Sequence, residues 1–383
     1  MTFGGKSMAR SLTGVSALFL RNLFFRGLYQ SQLRIQAGRF FLRKNRGTLI
    51  LLIVVLSGAY RAWSACTPPD PIAVQLKTRH DAAIYAELGI WFAQQHQYAC
   101  ATESFKTAVA ADPASARYTY LLGLSLYSAG LPGEAVEPLQ KSIGLDPKYV
   151  DAYLTLGAAF DQMGDRAKAE AQWRLALTIL PQSALALDNL SRDLLADGNY
   201  SSVIALLKPM ADRGSLTTPL LVKLSVAYSK SGLLEDASAL LYQALRANPS
   251  SLPLVEALAG VLILQMRVQE AAEIVKTAAS QHPHDVSVQV LYLRTLVLAN
   301  DTAHAEAISR VLLTSSPNDW EVLYLTGFLK LLEGNYPAAQ SYLEQSVTQK
   351  SDYSESRFDL GVDLARMKEY SAAKEQLQKA NAL

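Results

Sequence analysis

Residues 153–181 read YLTLGAAFDQMGDRAKAEAQWRLALTILP, and residues 120–147 read YLLGLSLYSAGLPGEAVEPLQKSIGLDP, with the same kinds of residue in the same order. Gly123 and Gly157 stand 34 residues apart, and so do Ala135 and Ala169, Leu139 and Trp173, and Pro147 and Pro181. Tyr153, Leu156, Gly157 and Phe160 follow the i, i+3, i+4, i+7 spacing of one helical face. A turn, MGDRAK, separates them from Ala169, Trp173 and Ala176, which mark the inner face of a second helix. Each copy is therefore a helix, a turn and a helix.

The copy extends in both directions. Counted from Ala82, units of 34 residues begin at 82, 116, 150, 184, 218, 252, 286, 320 and 354, with no insertion or deletion. Pro113, Pro147, Pro181, Pro249, Pro283 and Pro317 close six units in one phase, where the ring ends a helix. Small residues recur where two helices must approach closely. Gly89, Gly123, Gly157, Gly327 and Gly361 do so on first helices, and Ala101, Ala135, Ala169, Ala237, Ala271, Ala305, Ala339 and Ala373 on second helices.

This pattern resembles the tetratricopeptide repeat family over 82–383. The resemblance implies an all-α fold of about nine helix-turn-helix units stacked into a right-handed superhelix, with first helices lining a concave groove. Three units depart from it most: 184–217 has Ser191 and Val203 at the usual Gly and Ala places, 252–285 has Ala259 for Gly, and 286–319 has Tyr292-Leu293 for Leu-Gly. Any bend or weak point is expected at 191–216. On the family's geometry, Tyr120, Leu124, Tyr127, Arg192, Arg294, Tyr324 and Phe328 are candidate groove residues for a protein or peptide partner. The family's carboxylate-gripping Lys and Asn set is not matched, because no Asn accompanies Lys230, Arg117, Arg192 or Arg294 at the candidate groove places of adjacent units.

Charge divides the chain. Ten basic residues and no acidic one precede Asp70, whereas residues 70–383 carry 26 basic and 34 acidic groups, a net of −8. The body therefore offers no basic face for nucleic acid. Residues 1–46 form the basic leader, and TLILLIVVLSGAY at 48–60 is the long uncharged apolar run outside the repeat. Residues 47–63 read as a transmembrane or signal-anchor helix, or as a signal cleaved near Ala59. Nine basic residues before the run place the amino terminus in the cytoplasm and the body outside it, in the periplasm if the cell is bacterial. Residues 64–81 read as a linker rich in proline. Cys66 and Cys100 are either one bridge in an exported chain or two unrelated small residues.

Neither a metal-ligand spacing nor a phosphate-binding glycine loop is found. His282 and His284 flank Pro283 at a turn with no fixed carboxylate or thiol beside them. Glu134 and Glu137 lie on one solvated helix face. No cofactor, metal or catalytic set is expected. Two functional readings follow: a non-catalytic scaffold that binds a protein or peptide in the groove, in envelope assembly or secretion, and a self-associating structural component of a membrane complex.

Overall fold

The computed structural model describes residues 66–78 and 80–383. The basic leader and the apolar run at 47–63 lie outside the described residues. Within those described, no helix is long and apolar enough to cross a membrane. All regular elements there are α-helices, nineteen in number, and they lie in two bodies that divide between Gly198 and Asn199. That division falls inside 191–216, where the repeat pattern is weakest.

The first body holds α1 (Asp70–Gln75), α2 (Ala82–Gln94), α3 (Tyr98–Ala111), α4 (Ala116–Ser128), α5 (Pro132–Leu145), α6 (Val150–Gln162), α7 (Arg166–Ile179) and α8 (Ala184–Ala196). The second begins with α9 (Tyr200–Ala211), α10 (Thr218–Lys230), α11 (Leu234–Ala247), α12 (Leu252–Leu264) and α13 (Val268–Gln281). It continues with α14 (Val286–Leu298), α15 (Thr302–Ser315), α16 (Trp320–Leu332), α17 (Tyr336–Gln349), α18 (Ser354–Arg366) and α19 (Tyr370–Asn381). First helices from α2 to α18 start at intervals of 34 residues. Within each body, consecutive helices pack as helix-turn-helix pairs, the arrangement expected of tetratricopeptide repeats.

Side-chain volume sets the approach of each pair. A Cβ on Gly157 would stand 2.7 Å from Cδ1 of Trp173, and one on Gly123 would stand 2.6 Å from Cγ of Leu139. In these two units the first helix therefore has no side chain where the second presents a large one. Trp173, Leu139 and Phe105 are fully or almost fully buried as a result. Ser142 and Ser346 add a clamp inside their units, each hydroxyl donating at 2.8 Å to the carbonyl of the residue that opens the first helix, Ala116 or Trp320.

The turn inside every unit has the same backbone form. Its left-handed residue is Gly130, Gly164, Gly198, Gly232 or Gly334 in five units, and His96, Met266, Asn300 or Lys368 in the other four. In the eight units that lie within one body, the following N–H reaches back to the last turn of the first helix, as from Leu131 to the Leu126 carbonyl at 3.0 Å, which satisfies an orphan acceptor. At the opposite end Asp81, Ser115, Asp165, Ser183, Asp285, Asp301 and Asp319 accept from the first free N–H groups of their helices.

The stretch 64–81, expected as a linker, contains α1. Ile72 is buried against Ile84, Leu88, Phe92 and Phe105 of the first pair. Cys66 and Cys100 are joined by a disulfide, with Cα atoms 5.5 Å apart, so the start of the body is tied to α3. Of the two readings of these cysteines, the bridge is the one that forms, because α1 turns the chain back over the first pair.

Candidate functional site on the first-helix face

First helices touch one another through a recurring frame. In the first body, Tyr120 on α4 meets Tyr149, the residue before α6, with ring centroids 5.0 Å apart and planes at 59°. In the second, Tyr324 on α16 meets Tyr353, the residue before α18, at 5.2 Å and 80°. Both pairs occupy the same places in their units. The sequence reading chose Tyr120 and Tyr324 but missed Tyr149 and Tyr353. The signal was present: a tyrosine at the fifth place of one unit and another at its last place.

The environments of the two pairs differ. Tyr120, Leu124 and Tyr127 form a half-buried row along α4. Burial raises the Tyr120 hydroxyl above its ordinary value, with the Asp151 carboxylate adding to the shift. Tyr324 is 3% exposed, and its hydroxyl donates to Asp359 Oδ2 at 3.0 Å. Burial pushes that hydroxyl well above its ordinary range, and the Asp359 charge reinforces the effect. Phe328 stacks beside Tyr324 at 6.2 Å and stays partly exposed.

Both candidate arginines are engaged with carboxylates. Arg192 on α8 donates from Nη2 to Asp161 Oδ2 at 2.8 Å and from Nε to Asp193 Oδ1 at 3.0 Å, and lies over the Trp173 ring. Burial pulls the Arg192 value down, but Asp193 and Asp161 more than offset it, so the net shift is upward. Arg294 on α14 is 13% exposed in its side chain and forms an ion pair with Glu321 at the start of α16. These guanidinium groups tie neighbouring first helices together. As a partner's carboxylate grip, they would first have to give up these pairs.

The structure therefore brings Tyr120, Leu124 and Tyr127 together in the first body, and Tyr324 with Phe328 in the second. Arg192 and Arg294 sit apart from these rows, each among its own acidic partners. Residues absent from the sequence reading, Glu355 and Asp359 on α18, stand beside the Tyr324–Tyr353 pair and are 6% and 5% exposed. Polar side chains at helical spacing read as a solvated face, and nothing local signalled their burial.

Half-buried aromatic and aliphatic side chains on packed first helices belong to a class defined by its fold, the helical repeat of helix-turn-helix units. Residues 87–150 match the family model described as tetratricopeptide repeat. Cellulose synthase operon protein C of Escherichia coli K12 is 39% identical over 62 residues, which cover 16% of this chain and 5% of that protein. The DnaJ homolog subfamily C member 7 homolog of Dictyostelium discoideum is 28% identical over 102 residues, 27% of this chain and 18% of the relative. The chain thus spans a small part of the curated relatives it matches. Among solved structures, PilW, a widely conserved type IV pilus biogenesis factor, is 21% identical, covering 54% of this chain and 96% of that one, with a TM-score of 0.43. A tetratricopeptide repeat protein from Parabacteroides merdae ATCC 43184 is 15% identical, covering 78% and 98%, with a TM-score of 0.40.

Proposed function

We propose that this chain is a non-catalytic scaffold whose first-helix face binds a protein or peptide partner, and that the body works outside the cytoplasm, tethered through residues 47–63 or released by cleavage near Ala59. One observation carries the binding reading. The first helices keep large apolar side chains partly in water, Leu124 and Tyr127 on α4, Phe328 on α16 and Phe358 on α18, the last 42% exposed. A row of this kind supplies contact area at little ordering cost, because stacked helices hold it in place before the partner arrives.

The bridge between Cys66 and Cys100 supports the compartment. Structural disulfides persist in oxidising surroundings such as the periplasm, the secretory lumen or the cell exterior. The nine basic residues before the apolar run support the same orientation, with the leader retained in the cytoplasm. Such a scaffold suits cell-envelope assembly or secretion.

Cross-linked affinity purification from native membranes tests the reading. With Leu124→Ser and Tyr127→Ala combined, helicity should be retained and the captured partner lost, at a cost of about 2 kcal/mol or more, roughly thirtyfold in affinity. Recovery of the same partners by both baits would move binding off this face.

A further inference from the structure

The last two units enclose a cleft of about 420 Å³ between α17, α18 and α19. Its floor is apolar, made by the buried Leu360 and Leu364 of α18 with Val347 of α17 beside them. Its rim is polar and acidic. Glu344 on α17 and Glu369 in the turn before α19 are both exposed there, next to Gln340 and Gln376. Asp363 lies beneath, three residues from Leu360 and one from Leu364, on the side of α18 that floors the cleft. The charges of both rim glutamates reach it. It is fully buried, and neither of its oxygens has a hydrogen-bond partner.

The first body holds the same acid and answers it from within. Asp193 on α8 occupies the place of Asp363 in its unit. It accepts from Arg192 Nε at 3.0 Å, and the Arg166 charge also favours its ionised form. In the last two units the places of Arg192 and Arg166 hold Val362 and Tyr336. Glu344 reverses a further charge, because Lys106, Arg174, Lys208, Lys276 and Arg310 hold its place in five other units. Among the described residues no cation pairs with Glu344, Glu369 or Asp363. Glu344 accepts from the neutral Gln340 amide at 2.9 Å, and Arg357 donates to Gln376 and to the Ser351 carbonyl instead. Three acids around one cleft repel one another, and the buried one has also lost its water. Among the described residues, no group of three His, Cys, Asp or Glu side chains could hold a metal ion. A flexible organic cation spans wider gaps than metal–oxygen bonds do.

We infer that this cleft is a receptor site for an alkylammonium ion, its aliphatic stem on Leu360, Leu364 and Val347 and its N–H groups donating to Glu344 and Glu369. Stem and head match floor and rim. Methylene chains of such cations lie on apolar surface while the charged end stays among polar groups, and their bonds to carboxylates are the strong, charge-assisted kind. Asp363, ionised above about pH 6, adds attraction from below without contact. A free diamine and a lysine side chain of another polypeptide carry the same group. Leu124, Tyr127, Phe328 and Phe358 do not line the cleft, so the inference stands independently of the scaffold proposed above.

The test uses the full chain in a non-ionic detergent with its disulfide intact, at low salt and pH 8, where Asp363 is ionised. Calorimetry compares two charged probes with neutral ones of the same shape. Cadaverine is set against the diol of equal length, and the peptide acetyl-Leu-Lys-Leu-amide against its Nε-acetyl-lysine form. In at least one pair the charged probe should bind at least about tenfold more tightly. The pair with the larger preference identifies the source, free diamine or polypeptide side chain. The double variant Glu344→Gln, Glu369→Gln, isosteric and exposed at both places, should erase the preference while circular dichroism stays unchanged. Equal affinity within both pairs on the wild-type chain, a comparison that needs no variant, overturns the inference. So does a preference that survives in the double variant, which would trace to the general negative charge of the body.

Discussion

Gly157 shows at the residue scale how tightly the repeat is specified. Its place on α6 faces the Trp173 ring, which is fully buried, so an added methyl has no space to enter. Gly157→Ala should destabilise the chain by about 1–3 kcal/mol through overpacking, read as a lower denaturation midpoint of the first body. An unchanged midpoint would mean that the ring can turn aside. Asp359 is the opposite kind of residue, an acid kept inside. Burial, with the Glu355 charge adding to it and the Tyr324 hydrogen bond opposing, raises its carboxyl to about 7. In the folded chain it therefore holds its proton at a pH where the unfolded chain has released it.

At the scale of the element, α18 follows from this. Asp363, fully buried on the same helix with neither oxygen hydrogen-bonded, is raised to about 6 by burial, then by Glu344 from α17 and by Glu369 from the turn before α19. Facing Asp359 are Tyr324 from the preceding unit, itself packed against Tyr353, and Glu355 from α18. Both folded values lie above the unfolded one, so the native state binds more protons between them. The stability they contribute is complete below about pH 4 and is lost as pH rises through 6 and 7. Hydrogen exchange in α18 and α19 should thus be slower at pH 5 than at pH 8 once the intrinsic rate is corrected. Asp359→Asn should reduce that difference to the share due to Asp363, and stabilise the pair at pH 8 by an amount on the order of a few kcal/mol. Equal protection at both pH values in the wild-type chain would put these carboxyls in contact with water. α9 is a different case. It is a 12-residue helix with Pro209 inside it, where most second helices have 14 residues, and it opens the second body directly after the division at Gly198. A proline there removes one backbone donor and crowds the preceding turn.

For the molecule as a whole, stability in stacked repeats is a sum over units and their neighbours, so damage stays local. The Cys66–Cys100 bridge closes a loop of about 34 residues, which the chain-entropy argument values at roughly 3–4 kcal/mol. Reduction, or Cys100→Ser, should release α1 from Ile84 and Phe92 and raise exchange in α2 and α3. Helices α10 to α19 should be unaffected, and faster exchange there would show coupling beyond neighbours. The sequence by itself determined the period of 34, the two helical faces of each unit, the glycines that let α6 approach Trp173 and the prolines that end second helices. All of these are local, set by spacing along a single helix or turn. Only the tertiary structure decided that Cys66 meets Cys100, that Arg192 and Arg294 answer to acids one unit away, and that Tyr120 stays half exposed while Tyr324, at the same place in its unit, is buried on Asp359. Those outcomes depend on which side chains two separate helices bring together, and no spacing within either helix records that distance.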